Sequence, residues 1–407
     1  MVISKNNMLR LLSSAFLFGM ILFLWGAAIY YIEEIYSRYP SVSIRLEQEQ
    51  ITQRALMQAM ERESKESSQA IQAVAAWNMR KNQILRNTEL NTESKINLIA
   101  VFGDMSTIYP VELKEGSIPS SDDYAGCLLD DKTAYTLFGT AHSVGHLLTY
   151  QEEDYCIRGI IKSEIPVCLI QEKDENYAYS NVELICTNIE NGDQKANTFL
   201  LQNGVNEAGV LLEGSFYAKL LKSSALLPAW FLALYLMFEL LTELWRRRSL
   251  LFQVLVGVVI LLALWGLLRW SLELKLFIPQ RLIPTNWSDL DFWGRKVSEW
   301  RRFRISVAYL SPNPKDIMLL RLIRISLTCL SAATLSLILL LVHRHYLLDA
   351  FRPAWLAILF TVTEGIILVI LWQCGLLTGL LRAWILLPVL LTGFIWIAKS
   401  KKRLKID

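Results

Sequence analysis

Two histidines four residues apart, His142 and His146 in LFGTAHSVGH at 137–146, are the first residues whose types could do chemistry. On a helix such a pair shares a face and could hold zinc, with a glutamate beside the first histidine as general base. Here serine follows His142, and the Ser143-Val144-Gly145 insert with the β-like LLTY behind it predicts a turn instead. His343 and His345 share another short loop without a cysteine partner. No Ser-His-Asp or GxSxG arrangement occurs. The chain is therefore expected to carry no catalytic residue, metal site or cofactor site. Cys127, Cys156, Cys168 and Cys186 form an even set that could make two bridges with three connectivities. Each also sits in an apolar run where a free thiol packs as a small hydrophobe, so both readings stay open.

Two carboxylates stand where charge is costly. Glu239 and Glu364 lie inside long apolar runs, and a charge at membrane depth marks a contact that couples helices or subunits. A packing hydrogen bond from a protonated Glu364 is the plain alternative. The runs themselves dominate the chain, which has 407 residues, 53% of them hydrophobic, and 13 tryptophans. About 18 apolar residues suffice to cross a bilayer as a helix. Six segments qualify: 9–31, about 225–245, about 250–270, and then about 322–342, 354–373 and 380–398. The first exceeds a signal-peptide core and lacks a small-residue cleavage site, so it reads as a retained anchor.

Basic residues in short loops orient these spans. Lys5 and Arg10 precede the first, Arg246, Arg247 and Arg248 join the second to the third, and Arg344 and Arg352 lie between the fourth and fifth. The tail KSKKRLKID adds five more Lys/Arg. All fall on one side if both termini are cytoplasmic. Residues 33–224 then lie outside, and they carry 17 Lys/Arg against 28 Asp/Glu, an acidity that excludes nucleic acid as a partner.

The outer region reads as α+β. Residues 43–86 are rich in Glu, Gln, Arg and Ala without Gly or Pro and predict one long helix, with Leu56, Met60, Ile71, Val74 and Ala75 as its packing stripe. INLIAVFGD, YAGCLLD, HLLTY, DYCIRGII, PVCLIQ and NVELICTN predict strands. AYTLF suits a short helix, and a second helix near 204–224 would lead into span two. The segment 271–320 has no strong period, and its aromatics among charges (NWSDLDFWGRKVSEWRRF) suit a piece lying in the membrane interface.

Across 67–187 these words follow one another in an order that resembles the MacB-like periplasmic core domain of ABC-transporter permeases of the MacB/FtsX/LolC-E class. The matching positions are Gly103-Asp104, Tyr109-Pro110, Gly116, Ala134, Leu137-Phe138-Gly139, Val144-Gly145 and Tyr155-Cys156-Ile157-Arg158-Gly159. Gly103, Asp104, Gly116, Phe138, Gly139, Gly145 and Gly159 form a fold signature and name no reactive group. The resemblance implies a homo- or heterodimeric membrane subunit whose outer domain is moved by a separate cytoplasmic ABC ATPase. The chain has no GxxxxGK[ST] of its own. Arg246, Arg247, Arg248, Arg344 and Arg352 are then the candidate ATPase-docking residues. The family's usual permease has three spans after the outer domain, whereas five are predicted here, and the turn at Arg246–Arg248 is short for a docking helix. An anchored binding or scaffold protein that has lost ATPase coupling is the alternative.

Overall fold

The computed structural model describes residues 5–48, 50–65, 70–109, 112–140, 142–187, 192–205, 209–226, 283–284, 291–309, 314–350 and 353–376, with single positions at 238, 262, 266 and 289. The chain divides into two compact units. One contains Met1–Ile35, Tyr217–Ile278 and Arg321–Asp407, and the other Tyr36–Phe216 and Pro279–Leu320.

The first unit is helical where it is described. Helix α1 (Lys5–Arg38) has no Gly or Pro break near its ends and finishes on Arg38, a cation that suits the negative end of the helix dipole. Two stretches are long and apolar enough to cross a membrane among the described residues, Leu11–Arg38 and Pro314–Val342, and Ile358–Gln373 is a shorter apolar one. The predicted spans 9–31, 322–342 and 354–373 fall on helices. Those at 225–245, 250–270 and 380–398 lie almost wholly outside the described residues.

The second unit is α+β. Ten strands form one sheet: β1 (Val42–Arg45), β3 (Ile71–Asn87), β4 (Thr92–Phe102), β5 (Leu113–Gly116), β6 (Gly126–Asp130), β7 (Leu147–Tyr150), β8 (Glu153–Ile161), β9 (Val167–Gln171), β11 (Asn181–Cys186) and β12 (Val210–Glu213). Their order is β12-β1-β11-β3-β4-β9-β6-β8-β5. Strand β7 pairs with both β3 and β8, which closes β3-β4-β9-β6-β8-β7 into a ring. Leu85, Leu98, Leu129, Tyr155, Ile157 and Cys168 belong to one buried apolar cluster, which also takes in Ala134 and Leu137 of helix α4 (Asp131–Phe138). The pairs β4·β9 and β6·β8 are parallel and the others antiparallel. A small second sheet pairs β2 (Ile51–Thr52) with β10 (Ala178–Tyr179).

The long helix expected at 43–86 is not there. After β1 and β2 only α2 (Gln53–Lys65) is helical, and 71–87 is the strand β3. Its composition favours helix, but Val74 and Ala76 pack into one core while Ala75 and Trp77 pack into another. A strand with two buried faces satisfies that alternation and a helix does not. The six predicted strand segments and the AYTLF helix are present. The helix expected at 204–224 is preceded by β12, and helical residues run 214–226. Segment 271–320 contains helix α6 (Phe292–Tyr309), preceded in the chain by α3 (Met105–Ile108) and α5 (Gly192–Gln202). Two long helices follow, α7 (Pro314–Ala350) and α8 (Pro353–Gln373).

Candidate functional site

The alternation of side chains along β1 sends Val42 and Ile44 into an apolar core and leaves Ser41, Ser43 and Arg45 together on the opposite side. Opposite them on β11, Val182 and Leu184 join the same core, and Glu183, in register with Ser43, shares the polar side. Two serines, an arginine and a glutamate are thus sealed into the second unit at 5% exposure or less.

The charge is balanced by the first turn of α7. Arg45 donates from Nε to Asp316 Oδ2 and from a terminal nitrogen to Asp316 Oδ1, each at 2.8 Å, a bidentate fork. The same terminal nitrogen reaches Glu183 Oε1 at 2.8 Å. Lys315 Nζ donates to Glu183 Oε2 at 2.7 Å, to the Thr107 carbonyl at 2.6 Å and to Ser41 Oγ at 3.2 Å. Ser41 and Ser43 donate to Glu183 Oε2 at 2.8 and 2.6 Å, and Trp77 Nε1 donates to Oε1 at 3.4 Å. The Arg45 guanidinium also lies over the Trp77 ring, 5.3 Å from its centre.

Two cations and two anions make a neutral set, which is the condition for keeping charges away from water. Burial alone would raise Glu183, but Arg45 and Lys315 outweigh it and hold the carboxyl at about 2. Burial opposes the Arg45 charge as well, and Glu183 and Asp316 outweigh it and push its pKa up. With every group engaged, the cluster has no base or nucleophile to spare. Its chemistry is that of a joint: it fixes the first turn of a 37-residue helix to a sheet.

The fold-signature residues take up turns, helix ends and one close strand pairing. Gly103 (φ +89°) ends β4, and Asp104 caps α3 by accepting from Ser106 N at 2.8 Å. Gly116 pairs in register with Gly159 between β5 and β8. A Cβ on Gly116 (φ +81°) would strike the Arg158 carbonyl, and one on Gly159 would stand 2.7 Å from the Ser117 carbonyl oxygen. Only glycine fits where two backbones approach so closely. Phe138 ends α4 and packs on the His146 ring at 5.3 Å, and Gly139 is the left-handed C-cap of that helix. Gly145 N donates to the Ile157 carbonyl at 2.8 Å.

The histidines have separate partners. His142 Nδ1 lies 2.8 Å from Glu115 Oε2 while His146 stacks on Phe138. His146 N donates to the Ser143 carbonyl, so 143–146 is a turn, as its residues predict. Among the described residues no group of three or more His, Cys, Asp or Glu is placed to hold a metal ion. All six cysteines are free thiols, and burial together with the facing Cys168 thiol, the larger effect, pushes Cys127 up.

Glu364 is buried in α8, and its Oε1 accepts no hydrogen bond among the described residues. In the same unit Phe18 of α1 meets Phe360 of α8 at 4.7 Å between ring centres. Glu239, Arg246, Arg247, Arg248 and Arg352 lie outside the described residues. Arg344 falls on α7, with its side chain outside them.

No family model matches the sequence, and no curated protein matches it. Solved structures do. The periplasmic region of MacB from Actinobacillus actinomycetemcomitans aligns at 12% identity with a TM-score of 0.37, covering 46% of this chain and 92% of its own. The extracellular domain of the noncanonic ABC-type transporter YknZ from Gram-positive bacteria aligns at 13% identity with a TM-score of 0.34, covering 42% and 98%. A domain of a permease protein from Porphyromonas gingivalis aligns at 14% identity with a TM-score of 0.29, covering 42% and 82%.

Sequence reasoning did not find Arg45, Glu183, Lys315 or Asp316. The signal available was a charged residue inside each of two short strands, VSIR and NVELIC, and a Pro-Lys-Asp start to an apolar helix. Asp316 suits a helix N-terminus, whereas Lys315 opposes the dipole there and calls for an anion elsewhere.

Proposed function

We propose that this chain is a permease-like membrane subunit of an ABC transporter system. In this reading a separate cytoplasmic ATPase moves its extracytoplasmic α+β domain for export or envelope remodelling. The observation that carries the reading is the joint at Lys315 and Asp316. A long apolar helix that ends in two buried ion pairs moves a sheet without slack, because breaking either pair leaves an unpaired buried charge. The ordered turn residues from Gly103 to Gly159 support it, as does the direct run from α1 into β1.

In this reading the chain spans the cytoplasmic membrane six times with both termini inside, and it works as a homo- or heterodimer in the bilayer. Residues 33–224 form the outer domain. Arg246, Arg247, Arg248, Arg344 and Arg352 meet the ATPase, and Glu239 and Glu364 couple helices. The test is purification of the full chain from its native membranes in mild detergent. Recovery of a P-loop ATPase in stoichiometric amount supports the reading, and its absence refutes it.

One observation favours a second reading. Between the apolar runs predicted as spans two and three, the sequence around Arg246–Arg248 leaves only about five residues, short for a docking element, as in an anchored scaffold freed from ATPase coupling. Substituting all three arginines by Gln separates the two: function is impaired in a coupled permease and intact in a scaffold.

A further inference from the structure

Helix α6 carries an apolar stripe that the described residues of its own unit leave half exposed. Trp293, Val297 and Trp300 follow one another at helical spacing and are 57%, 50% and 57% exposed. Two large indoles left in water on one helix face indicate a surface that binds elsewhere. The charge on the helix indicates what it binds. FWGRKVSEWRRFRISVAY holds five cations, Arg295, Lys296, Arg301, Arg302 and Arg304, against Glu299 alone. Arg304 lies over the Trp300 ring at 5.0 Å and Lys296 over Phe292 at 5.8 Å, so cations and aromatics occupy one band. Tryptophan flanked by cations is the composition of a helix lying at headgroup level.

The sequence also tethers α6 to a candidate membrane span. Tyr309 and Pro314, where the apolar stretch Pro314–Val342 begins, are five residues apart. That tether reaches at most roughly 18 Å when fully extended.

We propose that α6 binds an anionic lipid surface, with Trp293, Val297 and Trp300 entering the interface and Arg301, Arg302 and Arg304 meeting anionic headgroups. This holds whether or not an ATPase drives the chain. An anionic surface attracts each nearby Lys or Arg with an energy worth about fivefold in binding, and salt screens the attraction.

The test is hydrogen exchange of the full chain in nanodiscs of phosphatidylcholine alone and of phosphatidylcholine mixed with phosphatidylglycerol. Peptides within 292–309 should exchange slower in the mixed discs by on the order of tenfold. The difference should vanish in the combined variant Arg301→Gln, Arg302→Gln, Arg304→Gln, and in high salt, while β3 peptides stay unchanged as the folding control. Equal exchange of the wild-type helix in the two lipids overturns the proposal. So does protection that follows the number of chains per disc rather than lipid charge, which would assign the stripe to a second copy of the chain.

Discussion

Lys315 and Glu183 stand 132 residues apart in the chain, yet Nζ lies 2.7 Å from Oε2 with both side chains sealed from solvent. Through this contact the start of α7 is fixed to β11, and through the neighbouring Arg45–Asp316 fork it is fixed to β1. A helix held at two charged points is restrained against rotation as well as displacement.

Lys315→Met should cost about 3–5 kcal/mol of local stability, because it strands Glu183 without its nearest cation. Adding Glu183→Gln should recover part of that loss, since the Arg45–Asp316 pair left behind is neutral. Hydrogen exchange of the β1 and β11 amides in the detergent-solubilised chain reads both steps. Equal exchange in wild type and Lys315→Met would show that the lysine is not held as described.

Acid should loosen the same joint. Glu183 is held at about 2 in the folded unit against an ordinary value of 4.5, so its depressed pKa stabilises the fold above about pH 4.5. That contribution, on the order of 3 kcal/mol, is lost as pH falls from 4.5 towards 2. The thermal unfolding midpoint should fall across that window and fall less in Glu183→Gln. A midpoint that drops equally in both proteins would assign acid lability to other carboxylates.

The two kinds of glycine should behave differently. Gly116→Ala forces a Cβ against the Arg158 carbonyl from a left-handed backbone and should cost about 2 kcal/mol or more. Gly139→Asn meets nothing within 4 Å and keeps a residue that tolerates the left-handed region, so it should cost well under 1 kcal/mol. Unfolding midpoints of the two variants check the order.

Replacing His142 and His146 together by Asn should leave metal content unchanged, since the two rings have separate partners. The fold should lose at most about 1 kcal/mol, from the ring contact with Phe138. Elemental analysis of both proteins decides the first point. A stoichiometric metal that disappears in the variant would contradict it.

Strands β4, β6, β8, β9 and β11 were legible because each is a short apolar run between turn residues. Strand β3 was not, because Gln, Arg, Lys and Ala on a long segment favour helix locally. Its strand state comes from pairing along both edges, with β4 next in the chain and with β11 roughly a hundred residues away, and from the two apolar cores its faces enter. The turn at Ser143–His146 could be read from Gly145 alone. The ion network was hidden for a different reason: Arg45 and Asp316 are 271 residues apart, and no spacing rule connects a strand arginine to a helix start. Apolar length made α1, α7 and α8 legible. It carries no information about which of them ends in a buried charge.

The most direct test of the coupling account is hydrogen exchange of Val42–Arg45, Asn181–Cys186 and the first turn of α7 in the reconstituted full chain with the ATPase that the proposed function assigns to it. Exchange is compared with ATP, with a non-hydrolysable analogue and without nucleotide. The account predicts that these segments change together when ATP is turned over. Exchange that is identical in all three conditions would contradict it.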